Sequence, residues 1–314
     1  MLWFAFHTYG RFSLGYFTNN LDNLLIGWRL GPMSLGFYKK AYDLFVLPTS
    51  QLSSPLTIVA VSALSRLQND YAQYRRYLLN ALGVMAFIGM GLSGALTLAG
   101  KDLILVLLGP KWGESGRIFT FFGPGVGAVL LYGTHQWIHL SIGRADRWLR
   151  WGFVDLAVTA VFLVGGLHWG AVGIALGWVI SSWIITLPAL WYACQPIHLG
   201  LAPIVESMWR YVFSALIAGG GAALLLRETA LFAAMPGTPG AAVRVAADSV
   251  LFTIFYVAGV VALHRGWVPV NQVTGLMKDM VARKFSNAGP SREPSTATVF
   301  PAAEHLAAYS EEAR

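Results

Sequence analysis

Arg11, Thr18, Asp22 and Arg29 follow one another at steps of seven, four and seven residues, in a stretch otherwise built largely of Leu, Phe and Trp. On an α-helix these four fall within about 40° of one another. Gly15 lies alongside them and Asn19 just off the stripe, while Leu14, Phe17, Leu21, Leu24, Leu25 and Trp28 cover the other side. The next stretch repeats the pattern: Lys39, Asp43, Ser50, Ser54 and Thr57 share a face, with Lys39 and Asp43 one turn apart and able to pair. Guanidinium, ammonium and carboxylate groups in such rows can meet an anion or hold a proton or small cation. A charge at a bilayer centre costs at least about 2.5–3.5 kcal/mol, so such groups face a bundle interior or a watery cavity. Two adjacent polar stripes therefore predict a cavity lined by both. Its candidate substrate or ion residues are Arg11, Thr18, Asn19, Asp22, Arg29, Lys39 and Asp43. Arg29, Lys39 and Lys40 have a plainer alternative, snorkelling to the membrane surface. Asn20 lies off the stripe and reads only as a partner in an interhelical hydrogen bond. Asp155 reads as an inner-interface residue rather than a proton carrier.

The elements that must position these groups are membrane helices. The 314 residues are 56% hydrophobic and 12% charged, about half the charged share of a soluble domain. From Leu156 to Val205 no Asp, Glu, Lys or Arg occurs, far beyond the roughly 20 apolar residues that cross a bilayer. The class is all-α, a polytopic helix bundle, because a backbone in hydrocarbon must satisfy its own hydrogen bonds. Hydropathy predicts about eight spans, near 2–28, 35–63, 77–100, 117–142, 148–166, 170–193, 207–226 and 244–264. LILVLLG at 103–109 is too short to span and reads as an interfacial turn. The predicted organisation is a six-helix lobe over 1–193, a final helix pair over 194–264, an amphipathic helix on the inner leaflet over 265–285, and a disordered tail over 286–314.

The net charge of +7 sits in short loops, which assigns it to membrane orientation rather than to nucleic acid. The loop set holding Arg66, Arg75, Arg76, Arg144, Arg147 and Arg150 is the richer one and predicts both chain ends in the cytoplasm. No enzymatic motif is legible. GPGVG at 123–127 and GGG at 219–221 follow no strand and lack a GK[ST] sequel, so they read as close helix packing or kinks. His135 and His139 have a metal-like spacing but no third ligand, and Trp137 between them reads as part of an interfacial belt. The single Cys194 excludes an intrachain disulfide and offers no metal cluster. No catalytic residue, metal or cofactor is expected; coupling to H+ or Na+ stays open.

Residues 20–79, NLDNLLIGWRLGPMSLGFYKKAYDLFVLPTSQLSSPLTIVAVSALSRLQNDYAQYRRYLL, resemble the polysaccharide-exporter family of O-antigen and exopolysaccharide flippases, in particular its colanic-acid-exporter-like branch. LLGPKWGESGRI at 107–118 and LSIGRADR at 140–147 are similar to later landmarks of that family, in order. Ser62 stands where the family usually has proline. The resemblance implies a fold of about fourteen helices in two lobes plus a final pair, of which this chain looks like the second lobe and the pair. It also implies a carrier of undecaprenyl-diphosphate-linked oligosaccharide in the bacterial inner membrane, serving lipopolysaccharide, exopolysaccharide or capsule biosynthesis. Its expected partners are the lipid-linked oligosaccharide, membrane lipids, and a missing N-terminal lobe or a protein supplying it. In that picture Arg11 and Lys39 would meet the diphosphate, and Asp22 or Asp43 would bind a coupling ion. Two alternatives remain: a multidrug or small-solute antiporter of the same superfamily, and a non-transporting remnant or assembly partner.

Overall fold

The fold turns on Gly31. A 65-residue helix, α1 (Leu2–Arg66), is interrupted at this single position, where φ is 82° and ψ is 174°. That conformation is essentially open to glycine alone, and Pro32 follows it without needing the N–H that the break leaves unpaired. Were α1 straight, residues 22 and 38 would stand about 24 Å apart along its axis. Instead the Tyr38 hydroxyl donates to Asp22 Oδ2 at 2.6 Å, so the chain doubles back. The arms 2–30 and 32–66 form a helical hairpin with a one-residue corner.

The computed structural model describes residues 2–228, 237–267, 269–271 and 274–275. After α1 come α2 (Tyr71–Leu108), α3 (Gly113–Phe122), α4 (Gly125–Ser141), α5 (Ala145–Gly166), α6 (Gly170–Cys194), α7 (Leu201–Glu228) and α8 (Gly237–His264). Short 3₁₀ turns at Pro110–Trp112, Leu167–Trp169 and Gln195–Ile197 join some of them. Among the described residues there is no strand. Seven of the eight expected stretches lie on single helices, and 117–142 crosses the break between α3 and α4. Among the described residues five helical segments are long and apolar enough to cross a membrane, or six with the bent α3–α4 pair. The figure falls below eight partly because the two arms of α1 are one segment and α5 with α6 another. LILVLLG differs from expectation: it is no separate turn, since α2 continues through Leu108 and stops only at Gly109.

α2 is the central helix. Asp70 caps it, accepting from the N–H groups of Ala72 and Gln73 at 3.0 Å each. α7 and α8 pack against one another and against α2. Arg244 of α8 forks onto Asp102 of α2 at 2.9 and 2.7 Å, and the Tyr256 hydroxyl donates to the Phe87 carbonyl at 2.7 Å. α3 and α4 meet at 53° across Gly123 and Pro124. The carbonyls freed there are not orphaned: Gly123 accepts from the Ser93 hydroxyl at 2.9 Å and Pro124 from the Trp183 indole at 3.0 Å, as a broken helix in hydrocarbon requires. The helices to Asn271 pack as one unit. The predicted amphipathic helix and tail lie almost wholly outside the described residues.

Candidate functional site

Arg11 lies on the first arm of α1, with only 7% of its surface exposed. A long cation can be buried that deeply only where small residues make room and a carboxylate waits. A Cβ on Gly152 of α5 would sit 2.8 Å from Arg11 Cδ, and one on Gly15 3.1 Å from its Nη1. Threaded between these glycines, Arg11 donates from Nη2 to Asp155 Oδ2 at 2.9 Å. Its guanidinium also lies 5.6 Å from the centre of the Trp148 ring. Asp155 is 5% exposed, so the pair is drawn out of water on both sides, and removing either charge would strand the other.

This pair borders a cavity of about 280 Å³ among the two arms of α1, α4, α5 and α6. From the first arm Arg11, Gly15, Thr18 and Asn19 line it; from the second, Ser53 and Thr57. α4 brings Tyr132, His135 and Gln136, and α5 brings Trp148, Asp155 and Thr159. Trp151 donates to the Tyr132 hydroxyl at 3.2 Å, and Trp137 donates to the Thr57 hydroxyl at 2.8 Å. Trp137 is 2% exposed, so it stands in the bundle rather than in the interfacial belt that its sequence context indicated. Three buried polar atoms of cavity-lining residues have no protein partner: Arg11 Nε, His135 Nε2 and Trp148 Nε1. Left permanently so, each would cost roughly 1–3 kcal/mol.

Of the seven residues singled out by sequence, Arg11, Thr18 and Asn19 come together at this cavity. Thr18 also donates to the Leu14 carbonyl at 2.9 Å. Asp22 lies elsewhere, fully buried, accepting from Tyr38 and, at 2.7 Å, from the N–H of Asn23. Lys39 and Asp43 pair at 2.8 Å on an exposed face, and Arg29 is exposed. The second arm contributes Ser53 and Thr57 to the lining; Ser54 is exposed. Sequence reasoning set Asp155 aside as an interface residue and His135 for want of a third ligand, and it passed over Tyr132; all three line the cavity. Asp155 and Arg11 are separated by 144 positions, beyond any periodic signal; the aspartate's depth in an apolar run was the only available clue. No group of three metal-ligating side chains occurs among the described residues.

Fold and site together define a multi-pass α-helical membrane protein with a polar cavity inside its bundle. Residues 1–117 match the family described as polysaccharide biosynthesis protein. The chain is 24% identical over 204 residues to an uncharacterized membrane protein in the cps region of Klebsiella pneumoniae, covering 62% of this chain and 41% of that one. It is 25% identical to the teichuronic acid biosynthesis protein TuaB of Bacillus subtilis, over 61% of this chain and 40% of TuaB. With the lipopolysaccharide biosynthesis protein WzxC of Escherichia coli it shares 22% identity, over 59% of this chain and 38% of WzxC. Among solved structures, the lipid II flippase MurJ in an inward closed conformation superimposes with a TM-score of 0.61 at 15% identity, covering 78% of this chain and 51% of that one. The likeness to a polysaccharide biosynthesis family rests on these sequence matches, and the structural match shows a shared helix-bundle fold. The chain spans about two fifths of the length of the curated relatives it matches.

Proposed function

We propose that this chain forms one cavity-bearing lobe of a carrier that moves a lipid-diphosphate-linked oligosaccharide across the bacterial inner membrane, for O-antigen, exopolysaccharide or capsule synthesis. The observation that carries the reading is the buried Arg11, held by a single carboxylate beside a cavity with unpartnered donors. A sugar headgroup cannot enter hydrocarbon unaided, because each hydroxyl would lose its water partners. Thr18, Asn19, Ser53, Thr57 and Gln136 offer substitutes along the lining. The guanidinium is the group suited to a diphosphate, which would compete with Asp155 for it.

The names of TuaB and WzxC, and the fold shared with a lipid II flippase, support this reading. Alternating access needs two walls, and the structural likeness covers 51% of the flippase chain. The reading therefore includes a second wall, from an N-terminal lobe or a protein supplying it. It keeps both termini on the cytoplasmic side, from the loop arginines, and it divides the chain into a lobe and a final pair at about residue 194. A multidrug or small-solute antiporter, whose cation substrates would want an acidic cavity, fits less well, since the one carboxylate lining the cavity is already held by Arg11.

The test is glycan export by a complete transporter carrying the neutral pair Arg11→Gln with Asp155→Asn. Replacing both charges avoids stranding either one. A charge-assisted contact contributes about 1.5–3 kcal/mol, so export falls roughly 10- to 100-fold at unchanged protein level. Export at the parental rate would overturn the assignment.

A further inference from the structure

His135 is 3% exposed and His139 0%, one turn apart on α4 with ring centres separated by 5.9 Å. His135 Nδ1 bonds to the Tyr132 carbonyl. A carbonyl only accepts, so Nδ1 carries the hydrogen and Nε2 presents a free lone pair. That Nε2 has no partner, and neither nitrogen of His139 has one. His135 lines the same cavity as Arg11. From His139 a file of groups runs outward: its ring lies 6.0 Å from that of Tyr192 on α6, over which the Arg147 guanidinium lies at 4.1 Å. Arg147 donates to the Tyr192 carbonyl and to Gln195 at 2.7 Å each. Beside it, on the α4–α5 loop, Arg144 pairs with Asp146.

We propose that His135 is the site where a proton enters the cavity when an anionic headgroup binds, and that His139 relays it from the α4–α5 loop. The inference rests on the diphosphate reading above. The charged and titratable groups facing the two imidazoles are Arg11 from α1, Tyr132 from α4, Arg144, Asp146, Arg147 and Asp155 from the loop and α5, and Tyr192 from α6. Of these charged groups only Arg11 and Asp155 border the cavity, and they balance one another, so the empty cavity offers no net negative charge to an imidazolium. A diphosphate diester brings two negative charges and supplies it. The imidazolium then becomes the favoured form, and its new N–H can donate to a phosphate oxygen. The proton leaves a hydronium ion or buffer acid at the loop and forms the Nε2–H bond; it returns when the headgroup departs. Binding thus takes up one proton.

The probe is a short-chain prenyl-diphosphate-linked disaccharide, whose phosphates do not titrate near neutral pH, with a complete transporter carrying this chain in nanodiscs. Affinity is measured between about pH 6 and 8, and proton uptake is followed in weak buffer with an indicator dye. The expected result is an affinity that weakens by as much as about tenfold per pH unit, with dye-detected uptake on binding. His135→Gln should bind with a flat pH profile and no uptake, while His139→Gln should keep the uptake but slow it. A flat wild-type profile, or uptake retained in His135→Gln, overturns the inference and leaves the diphosphate reading intact. Should His135→Gln fail to fold, the wild-type profile and dye signal decide alone. A wild type that binds no probe at any pH overturns the diphosphate reading, and this inference with it.

Discussion

Arg11 and Asp155 place an ion pair where hydrocarbon would otherwise be, and their contribution to stability differs from their contribution to function. Desolvating both charges costs about as much as their attraction returns, whereas removing one strands the other at a cost of roughly 3–5 kcal/mol. Arg11→Gln and Asp155→Asn are therefore each expected to lower the thermal unfolding midpoint in detergent more than the double replacement does. If the double variant is as unstable as the sum of the singles, the two side chains are not coupled as their 2.9 Å contact indicates. Sequence periodicity puts Arg11 on one polar stripe, and the structure buries it. Periodicity could not supply the partner, because helix faces are legible locally and helix-to-helix pairings are not. Asp22 shares Arg11's stripe and is fully buried, yet its partner is Tyr38 across the fold-back at Gly31, and the cavity is lined by other residues.

At the scale of the element, the hairpin of α1 decides whether the two polar stripes meet. The corner is a backbone conformation rather than a packed contact: a Cβ on Gly31 would meet nothing within 4 Å, but φ is 82°. Gly31→Ala is thus expected to cost about 1–3 kcal/mol through strain alone. Gly36, five residues on and equally open, has ordinary helical geometry, and its alanine variant should be neutral or slightly stabilising. Thermal unfolding of the two variants side by side measures the difference; equal midpoints would remove Gly31 from its assigned role. The corner was readable in outline, since a Gly–Pro pair separates two apolar runs. Its sharpness was not, because nothing local says whether Pro32 kinks a helix or follows a reversal. GPGVG reads as close helix packing or a kink, and the structure has a 53° bend there; what satisfies its carbonyls, Ser93 and Trp183, lies on distant helices.

At the scale of the molecule, a cavity among five helical segments serves transport only if water reaches it. Composition made the membrane bundle plain and the first polar stripe pointed inward, but the cavity's walls on α4, α5 and α6 came only from the packing of the whole. Cysteine accessibility tests that packing directly. The only native thiol, Cys194, is buried, so a membrane-impermeant reagent should leave the parent protein unlabelled. Thr18 and Ser53 face the cavity from opposite arms of the hairpin. Leu24, on the first arm, points outward with 68% of its surface exposed, toward lipid or toward a second wall. In membranes, Thr18→Cys and Ser53→Cys should label while Leu24→Cys stays inert, although Thr18 is far more buried than Leu24. A reversed order would mean that the polar stripes face one another dry. The hydroxyls would then be helix-packing groups, and no headgroup could use them as a substitute for water.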